Sequence, residues 1–323
     1  MIKSVCGEAF EEAEVSTVDQ LRERLDGGEL LVIDGGMGSE IEARGVEMDD
    51  KAWCALANLN APDVVQQIHE DYIRAGADVI IANTFPCGRP ALEQAGYGDR
   101  FEEINRSAVG AALRARDAVG GPTVVAGSLG ALPTATDMTF GERGLSADEL
   151  QRAFADQARV LADAGVDLIA IEMLGPGSYA VPAVEGARAA GLPIWVGVSV
   201  LRIVEDGATD YGTLADSSDR AAFQDLLESV LAPDLAAVTL MHSNLDQVVP
   251  GLKLIRSCWD GLVGVYPHVG SFDPPHWEMQ DISPEDYLEA AREWVRHGAQ
   301  MVGGCCGIRP AQIAALREGL STA

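Results

Sequence analysis

Two adjacent cysteines near the end of the chain have the clearest capacity for chemistry. Residues 303–307 read Gly-Gly-Cys-Cys-Gly and directly follow a strand-like run at 299–302. Neighbouring side chains of a regular strand point to opposite faces, so Cys305 and Cys306 can reach one ion only if the backbone turns where the strand ends. The flanking glycines permit that turn. Because zinc prefers thiolate ligands, the pair predicts a zinc-type metal site.

A disulfide or a pair of buried apolar thiols is the alternative interpretation of these two cysteines. A disulfide between neighbours in the chain is strained, and the other cysteines lack the spacing of a disulfide framework. These others are Cys6, Cys54, Cys87 and Cys258. An oxidising compartment is therefore not indicated.

The composition indicates a large, acidic, water-soluble protein. With 323 residues, 47% of them hydrophobic, the chain can bury the core of one barrel-sized domain or of two smaller domains. The net charge of −27 argues against a nucleic-acid partner, since phosphate backbones need a basic surface. Apolar runs of about 18 residues, which a membrane span needs, do not occur. We therefore expect a cytoplasmic protein without a membrane partner, as a monomer or small homo-oligomer.

Eight apolar runs with strand character recur along the chain, separated by segments of helix length. The runs are 30–34, 77–82, 123–127, 166–171, 193–199, 236–241, 262–266 and 299–302. Strands that alternate with helices and are apolar nearly throughout predict a parallel sheet covered on both faces. Eight such units predict an α/β fold of the (β/α)8 TIM-barrel type, with an open doubly wound sheet as the alternative.

Helix signals and the lack of a linker complete the prediction of the architecture. Ser146 and Glu149 form a capping box before an amphipathic stretch that reaches Ala164, and Ser283-Pro284 supplies another helix start. An extra helix is expected at 16–26. We predict an N-terminal extension and helix at 1–28 and a single barrel domain at 29–323.

Three of the repeating units share a register. In each, a glycine ends a helix and starts a strand, at positions 76, 165 and 298. Seven residues after these glycines stand Asn83, Glu172 and Cys305. These three side chains should therefore lie at a similar height, in a polar ring at the carboxyl ends of the strands. In barrel enzymes that end carries the chemistry.

The double cysteine, together with Asp34-Gly35-Gly36 after the first strand, resembles the homocysteine S-methyltransferase family. The stretches 77–85, 126–130, 171–173 and 265–267 resemble that family's second, third, fourth and seventh strands. The resemblance covers residues 30–320. It implies a (β/α)8 barrel, methyl transfer to a thiol in methionine biosynthesis, and zinc bound by three cysteines.

The third zinc cysteine of that family follows the sixth strand and is usually preceded by asparagine. In this chain the register places His242 at the cysteine position and Met241 at the asparagine position. Imidazole is an accepted zinc ligand, and two cysteines with one histidine form a catalytic set that leaves one position open. The resemblance thus implies Zn2+ bound by His242, Cys305 and Cys306. A second candidate ligand is His268, where the family typically has asparagine.

The resemblance also implies a small-molecule thiol acceptor, homocysteine or a related thiol, and a cationic methyl donor. A sulfonium or quaternary ammonium donor is best stabilised by aromatic faces. Phe85, Tyr266 and Trp277 are the candidates for that contact, with simple core packing as the alternative for each. The acidic surface could attract such a donor, although solvation or adaptation to salt explains it more simply.

A polar set at the strand ends is expected to bind the acceptor: Asp34, Gly35, Gly36, Asn83, Ser128 and Glu172. The resemblance assigns Asp34 and Glu172 to acceptor binding, where their carboxylates suit its ammonium group, and we take them as the catalytic residues. The backbone N–H groups at Gly35 and Gly36 suit the acceptor's carboxylate, because a helix start favours anions.

Two other functions remain open on the sequence alone. The first is a zinc hydrolase or lyase in which the two cysteines and one histidine hold a metal that activates water, with Glu172 as a general base. The second is a metal-free barrel that binds a small molecule without turnover.

Overall fold

The computed structural model describes eight barrel strands and the helices that surround them. The described residues are 16–130, 145–177, 179–203, 209–273, 276–278 and 280–320. The strands are Leu31–Val32, Val79–Ala82, Val124–Gly130, Leu168–Leu174, Ile194–Val198, Ala237–Met241, Val263–Tyr266 and Met301–Val302. Each overlaps one of the eight predicted runs, and the third and fourth strands extend three residues beyond theirs.

The eight strands form one parallel sheet that closes on itself. From the second strand on, each strand pairs with the next along the chain, and the eighth pairs with the first. The remaining edge closes through a parallel bridge between Ile33 and Val79, beside which the Asp34 N–H donates to the Val79 carbonyl over 3.0 Å. The fold is therefore the predicted single-domain (β/α)8 barrel and not an open sheet.

Helices alternate with the strands along the chain. The α-helices are Thr17–Asp26, Met37–Ala43, Ala57–Asn60, Pro62–Arg74, Arg89–Gln94, Phe101–Val119, Ala147–Ala164, Ala180–Ala187, Ser217–Val230, Val248–Cys258, Pro284–Arg296 and Pro310–Leu320. Short 3-10 helices lie at Gly98–Arg100, Arg188–Ala190 and Leu245–Gln247. Two hairpins extend the carboxyl ends of the strands, Leu201–Ile203 with Thr209–Tyr211 and Ser271–Asp273 with His276–Glu278.

The helix starts follow from the capping residues that the sequence provides. The Ser16 side chain accepts from the Asp19 N–H, and Ser146 forms the expected reciprocal capping box with Glu149. Ser283 caps the helix that begins at Pro284. Each of these side chains satisfies a backbone donor that the first helical turn leaves unpaired.

The core lies inside the barrel and between the barrel and its helices. All residues of the third to seventh strands are buried. The amino-terminal helix joins this core through Leu21 and Leu25, which are 4% and 6% exposed. Burial of strands on both faces explains why they read as continuous apolar runs.

Asp78 ties the barrel together at the amino ends of its strands. Its carboxylate accepts from the Val32 N–H and from Arg24, both over 2.8 Å, and it also pairs with Arg317. The first helix, the first two strands and the last helix thus meet at one carboxylate. This end of the barrel serves stability, while the opposite end is left for the site.

Within the residues that the structure describes, no helix has the length and apolarity to cross a membrane. The division at residue 29 stays a prediction, and most of the amino-terminal extension lies outside the described residues.

Candidate metal centre and substrate cavity

The double cysteine lies in a turn that begins where the eighth strand ends. The Gly303 N–H donates to the Val265 carbonyl over 2.9 Å, and the Gly304 N–H donates to the Asp34 carbonyl over 2.9 Å. The turn is thereby held between the first and seventh strands. Gly307 completes the turn with a φ of +80°, a backbone conformation that residues with a side chain rarely adopt. The predicted departure from strand geometry is present.

The segment after the seventh strand holds the cysteine turn. The Pro267 carbonyl accepts from the Cys305 N–H over 2.8 Å, and the Val269 N–H donates to the Cys306 carbonyl over 3.0 Å. A Cβ atom at Gly307 would collide with the Val269 carbonyl. The two backbones therefore lie in direct contact, and the positions of both sulfurs depend on residues 267–269.

The end of the seventh strand and the segment after it also hold His242, the residue after the sixth strand. The His242 N–H donates to the Tyr266 carbonyl over 3.2 Å, and the His268 N–H donates to the Ser243 carbonyl over 3.4 Å. His242 itself has a φ of +39°, which turns its side chain out of the strand direction. One short segment thus positions both the histidine and the two cysteines.

His242, Cys305 and Cys306 form a group that could hold one metal ion. Their ligand atoms all lie within 4.8 Å of one another. The His242 Nδ1 atom is 3.2 Å from the Cys305 Sγ atom, and the two Sγ atoms are 3.9 Å apart. His268 does not share this group, but its ring lies beside that of His242 with 4.5 Å between the centroids.

The protonation of the group suits metal binding. Burial lowers the pKa of His242 well below 6.5, so its imidazole is neutral and can donate a lone pair. The neighbouring Cys306 and burial raise the pKa of the Cys305 thiol well above 9.0. A metal ion must therefore displace a proton from Cys305 when it binds.

Glu172 and Asp34 are two buried carboxyl groups beside the metal group. Glu172 accepts hydrogen bonds from Ser128 and Tyr266, and burial raises its pKa to about 7. Asp34 accepts from the Ile81 N–H over 2.8 Å, and burial together with Glu172 raises the pKa of Asp34 well above 3.8. Both carboxyl groups are poised for a cationic partner that would stabilise their ionised forms.

A cavity of about 850 Å³, including its open mouth, brings most of the predicted residues together. The predicted residues in its wall are Asp34, Gly35, Gly36, Asn83, Phe85, Glu172, His242, Tyr266, Cys305 and Cys306. Ser128 is fully buried and acts on this cavity through its hydrogen bond to Glu172. The side chain of Trp277 lies outside the described residues.

Two predicted contacts are already used within the protein. The Gly36 N–H donates to the Ile308 carbonyl over 3.0 Å, so it is not available for a substrate carboxylate. The Asn83 amide donates to the Cys54 carbonyl over 3.1 Å and to Asn58 Oδ1 over 2.9 Å. Gly36 and Asn83 therefore shape the wall, and polar contact with substrate falls to other groups.

Trp53, Met173 and Met241 line the same cavity and were not among the predicted site residues. Trp53 packs edge to face against Phe85, with 6.4 Å between ring centroids. Among the described residues, the non-glycine residues with positive φ are Trp53, Met173 and His242, and all three line the cavity. Such backbone conformations cluster at functional sites. No sequence pattern predicts these backbone conformations.

Comparison with known proteins gives the same family from the sequence and from the fold. The family model described as homocysteine S-methyltransferase matches residues 31–320. Homocysteine S-methyltransferase 3 of Zea mays is 28% identical over 325 residues, which cover 91% of each chain. Homocysteine S-methyltransferase 2 of Zea mays is also 28% identical, over 323 residues, with 91% of each chain covered.

A solved structure agrees with the fold. The metallated form of the Escherichia coli homocysteine methyltransferase MmuM superposes with a TM-score of 0.73 at 26% identity, covering 93% of this chain and 99% of that one. The chain spans nearly the full length of these enzymes, and the family match covers the whole barrel. The chain therefore belongs to the homocysteine S-methyltransferase family.

Proposed function

We propose that this protein transfers a methyl group from a sulfonium or quaternary ammonium donor to the thiol of homocysteine, using Zn2+ held by His242, Cys305 and Cys306. One observation carries the proposal. The three ligand atoms converge at the wall of a cavity that also presents two buried carboxyl groups and several aromatic rings. Family membership favours methyl transfer over hydrolysis and over binding without turnover.

The donor set fits zinc. A tetrahedral zinc ion with bonds of about 2.3 Å to sulfur and about 2.0–2.1 Å to nitrogen places its ligand atoms about 3.5–3.8 Å apart. The separations of 3.2 and 3.9 Å lie close to those values, and all three ligand atoms lie within 4.8 Å of one another. Two thiolates and one imidazole leave a fourth position open. Zinc, when bound, would activate the acceptor thiol without a basic side chain.

Glu172 and Asp34 would hold the ammonium group of the acceptor. Both carboxyl groups are buried in the cavity wall, where an uncompensated charge is costly. An ammonium group placed between them favours their ionised forms and is itself stabilised. Hydrogen bonds from Ser128 and Tyr266 fix the Glu172 carboxylate, so the acceptor's position is set before reaction.

Aromatic rings in the cavity wall would hold the donor. Trp53 and Phe85 lie nearly at right angles in the wall, and Tyr266 lines the same cavity. A cationic centre over an aromatic face gains about 0.5–2 kcal/mol, and more when water is excluded. Met173 and Met241 keep the surrounding wall apolar. The donor methyl group would thus face the acceptor sulfur in a dry setting.

The test is methionine formation by the zinc-loaded protein. Homocysteine carrying a heavy isotope is incubated with S-methylmethionine and, separately, with betaine, and labelled methionine is detected by mass. The label is needed because S-methylmethionine itself becomes methionine when it gives up a methyl group. We expect labelled methionine with one of these donors. Absence of product with either donor, and with other thiols, would refute the proposal.

Two variants distinguish the proposed metal site from the proposed acceptor site. Cys306→Ser removes a proposed metal ligand, and Glu172→Gln keeps the shape of the side chain but removes its charge. Both should lose most of the activity. Only Cys306→Ser should also lose metal, as measured by zinc content per chain.

A further inference from the structure

The ring of His268 packs beside the group formed by His242, Cys305 and Cys306. It is 2% exposed, and its centroid lies 4.5 Å from that of His242 with the two rings tilted by 37°. The His268 N–H also donates to the carbonyl of Ser243, the residue after His242, over 3.4 Å. His268 therefore packs against the imidazole of a proposed ligand without belonging to the ligand group.

His242 needs such support because its backbone is strained. A φ of +39° is unfavourable in a residue with a side chain and persists only where the surroundings impose it. Its N–H is held by the Tyr266 carbonyl over 3.2 Å. The direction of the imidazole then depends on what packs against the ring, and His268 packs there.

We infer that His268 is a positioning residue that orients the His242 imidazole toward Cys305 and Cys306. The inference rests on the proposed function, because it assumes that these three residues bind the metal. His268 acts through the contact of its ring with the His242 ring, and its backbone is held beside His242 by the hydrogen bond to Ser243. The arrangement is needed only because position 242 carries a histidine, whose ring must be aimed, whereas a thiolate at that position has a shorter reach and fewer rotatable bonds.

The experiment is a set of metal affinities measured with Co2+ and Zn2+ by competition with a chromogenic chelator. His268→Ala should weaken binding about 10- to 100-fold, as loss of a residue that orients a ligand does. His268→Phe, which keeps a ring, should recover part of the loss. His69→Ala is the matched control.

His69 suits this purpose because it is another fully buried histidine. It lies on the helix Pro62–Arg74, and among the residues that the structure describes neither of its ring nitrogens has a hydrogen-bond partner. Its removal should lower the thermal stability of the metal-free protein, as removal of any buried ring does. It should leave metal affinity unchanged, which separates general destabilisation from positioning.

The same substitution in a His242→Cys protein tests whether His268 acts through the His242 ring. His242→Cys should still bind metal, and adding His268→Ala to it should change the affinity by less than about twofold, since coupling is expected only between residues in contact. In the Co2+-loaded protein, His268→Ala should shift the visible ligand-field bands as His242→Ala does, while the sulfur-to-cobalt charge-transfer bands remain.

The outcomes separate the inference from the proposed function. Weak or absent metal binding by the unaltered protein would overturn both. Tight binding by the unaltered protein, loss in His242→Ala and full retention in His268→Ala would overturn the positioning inference alone. An equal loss from His268→Ala in the His242→Cys background would also overturn it. Loss in His268→Ala but not in His242→Ala would make His268 a ligand and overturn the proposed ligand set.

Discussion

His242 shows at residue scale how this cavity differs from one with three cysteines. An imidazole is neutral where a thiolate is charged, so the three ligands carry one negative charge fewer. A bound metal ion would then be more strongly electrophilic and should lower the pKa of a thiol on it further, at some cost in the nucleophilicity of the sulfur. We therefore expect the exchange to alter reactivity while a metal site is retained.

Glu172 gives a pH dependence of stability that can be measured in the metal-free protein. Burial raises its pKa from 4.5 to about 7, so between these values the folded state binds more protons than the unfolded state. This contribution to stability is fully present below about pH 4.5 and is lost as the pH rises through about 7.

In Glu172→Gln the side chain at position 172 cannot titrate, so this variant should not show that loss of stability with rising pH. Between pH 5 and 8 the free energy of unfolding of the unaltered protein should fall by about 2–3 kcal/mol more than that of the variant. Urea unfolding of both proteins in the presence of a chelator measures the difference. Parallel pH profiles would show that Glu172 does not have the raised pKa.

Trp53 gives a separate prediction about the donor. If its ring faces the donor cation, Trp53→Leu should raise the donor KM about 5- to 30-fold, which corresponds to about 1–2 kcal/mol of lost cation–π contact. The homocysteine KM should change little. Steady-state kinetics with each substrate varied in turn provides the measurement. An equal rise in both KM values would assign Trp53 to the shape of the cavity and not to donor binding.

At residue scale, the sequence could predict those site residues that stand directly at strand ends. Asn83, Glu172 and Cys305 follow from the register of the strands, because parallel strands bring their carboxyl ends to one rim, whereas Asp34 and His242 came from the resemblance to the family. Trp53 and Met173 could not be found this way. Trp53 lies in a segment without periodicity, and Met173 lies within the register shift between Ile171 and Leu174 that only strand pairing reveals.

At the scale of elements, the first-strand turn and the cysteine turn form one packed unit. A Cβ atom at Gly36 would lie 2.8 Å from the Cys305 carbonyl oxygen and 2.9 Å from the Cys306 Cα atom. Both are backbone atoms that have little freedom to move. This contact explains why glycine stands at position 36, whereas the sequence alone suggested a role in anion binding.

Gly36→Ala should therefore push the two turns apart. We expect a loss of about 2–4 kcal/mol in stability together with loss of metal, since overpacking at backbone contacts is costly. Gly110→Ala is the matched control, because it lies in the helix Phe101–Val119 and meets only the end of the flexible Arg114 side chain. That variant should be equally or more stable and keep its metal. Unchanged metal content in Gly36→Ala would contradict the packing argument.

The elements themselves were predictable because local signals agreed with the global fold. Ser16, Ser146 and Ser283 cap the helices that they were expected to start. Closure of the sheet was not predictable from periodicity, since it depends on the contact between Ile33 and Val79 across the remaining edge. The hairpins near the mouth were also missed, because their strands are too short to form a pattern.

At the scale of the whole molecule, the net charge of −27 should make stability depend on salt. Repulsion among the surface carboxylates opposes the compact state, and salt screens it. Between about 0.01 and 0.2 M NaCl the Tm should rise by about 4 °C or more, which corresponds to about 2 kcal/mol. Thermal scans at neutral pH measure this. A Tm that rises only at molar salt would point to solvent exclusion and not to screening.

We propose that an imidazole from the middle of the chain and two sulfurs from its end bind one metal ion in the cavity. The most direct measurement is a crystal structure of the zinc-loaded protein with anomalous diffraction data on both sides of the zinc edge. We predict one zinc peak at about 2.0–2.1 Å from a His242 nitrogen and about 2.3 Å from both cysteine sulfurs. A structure in which these three side chains share no ion, despite excess zinc, would contradict the account.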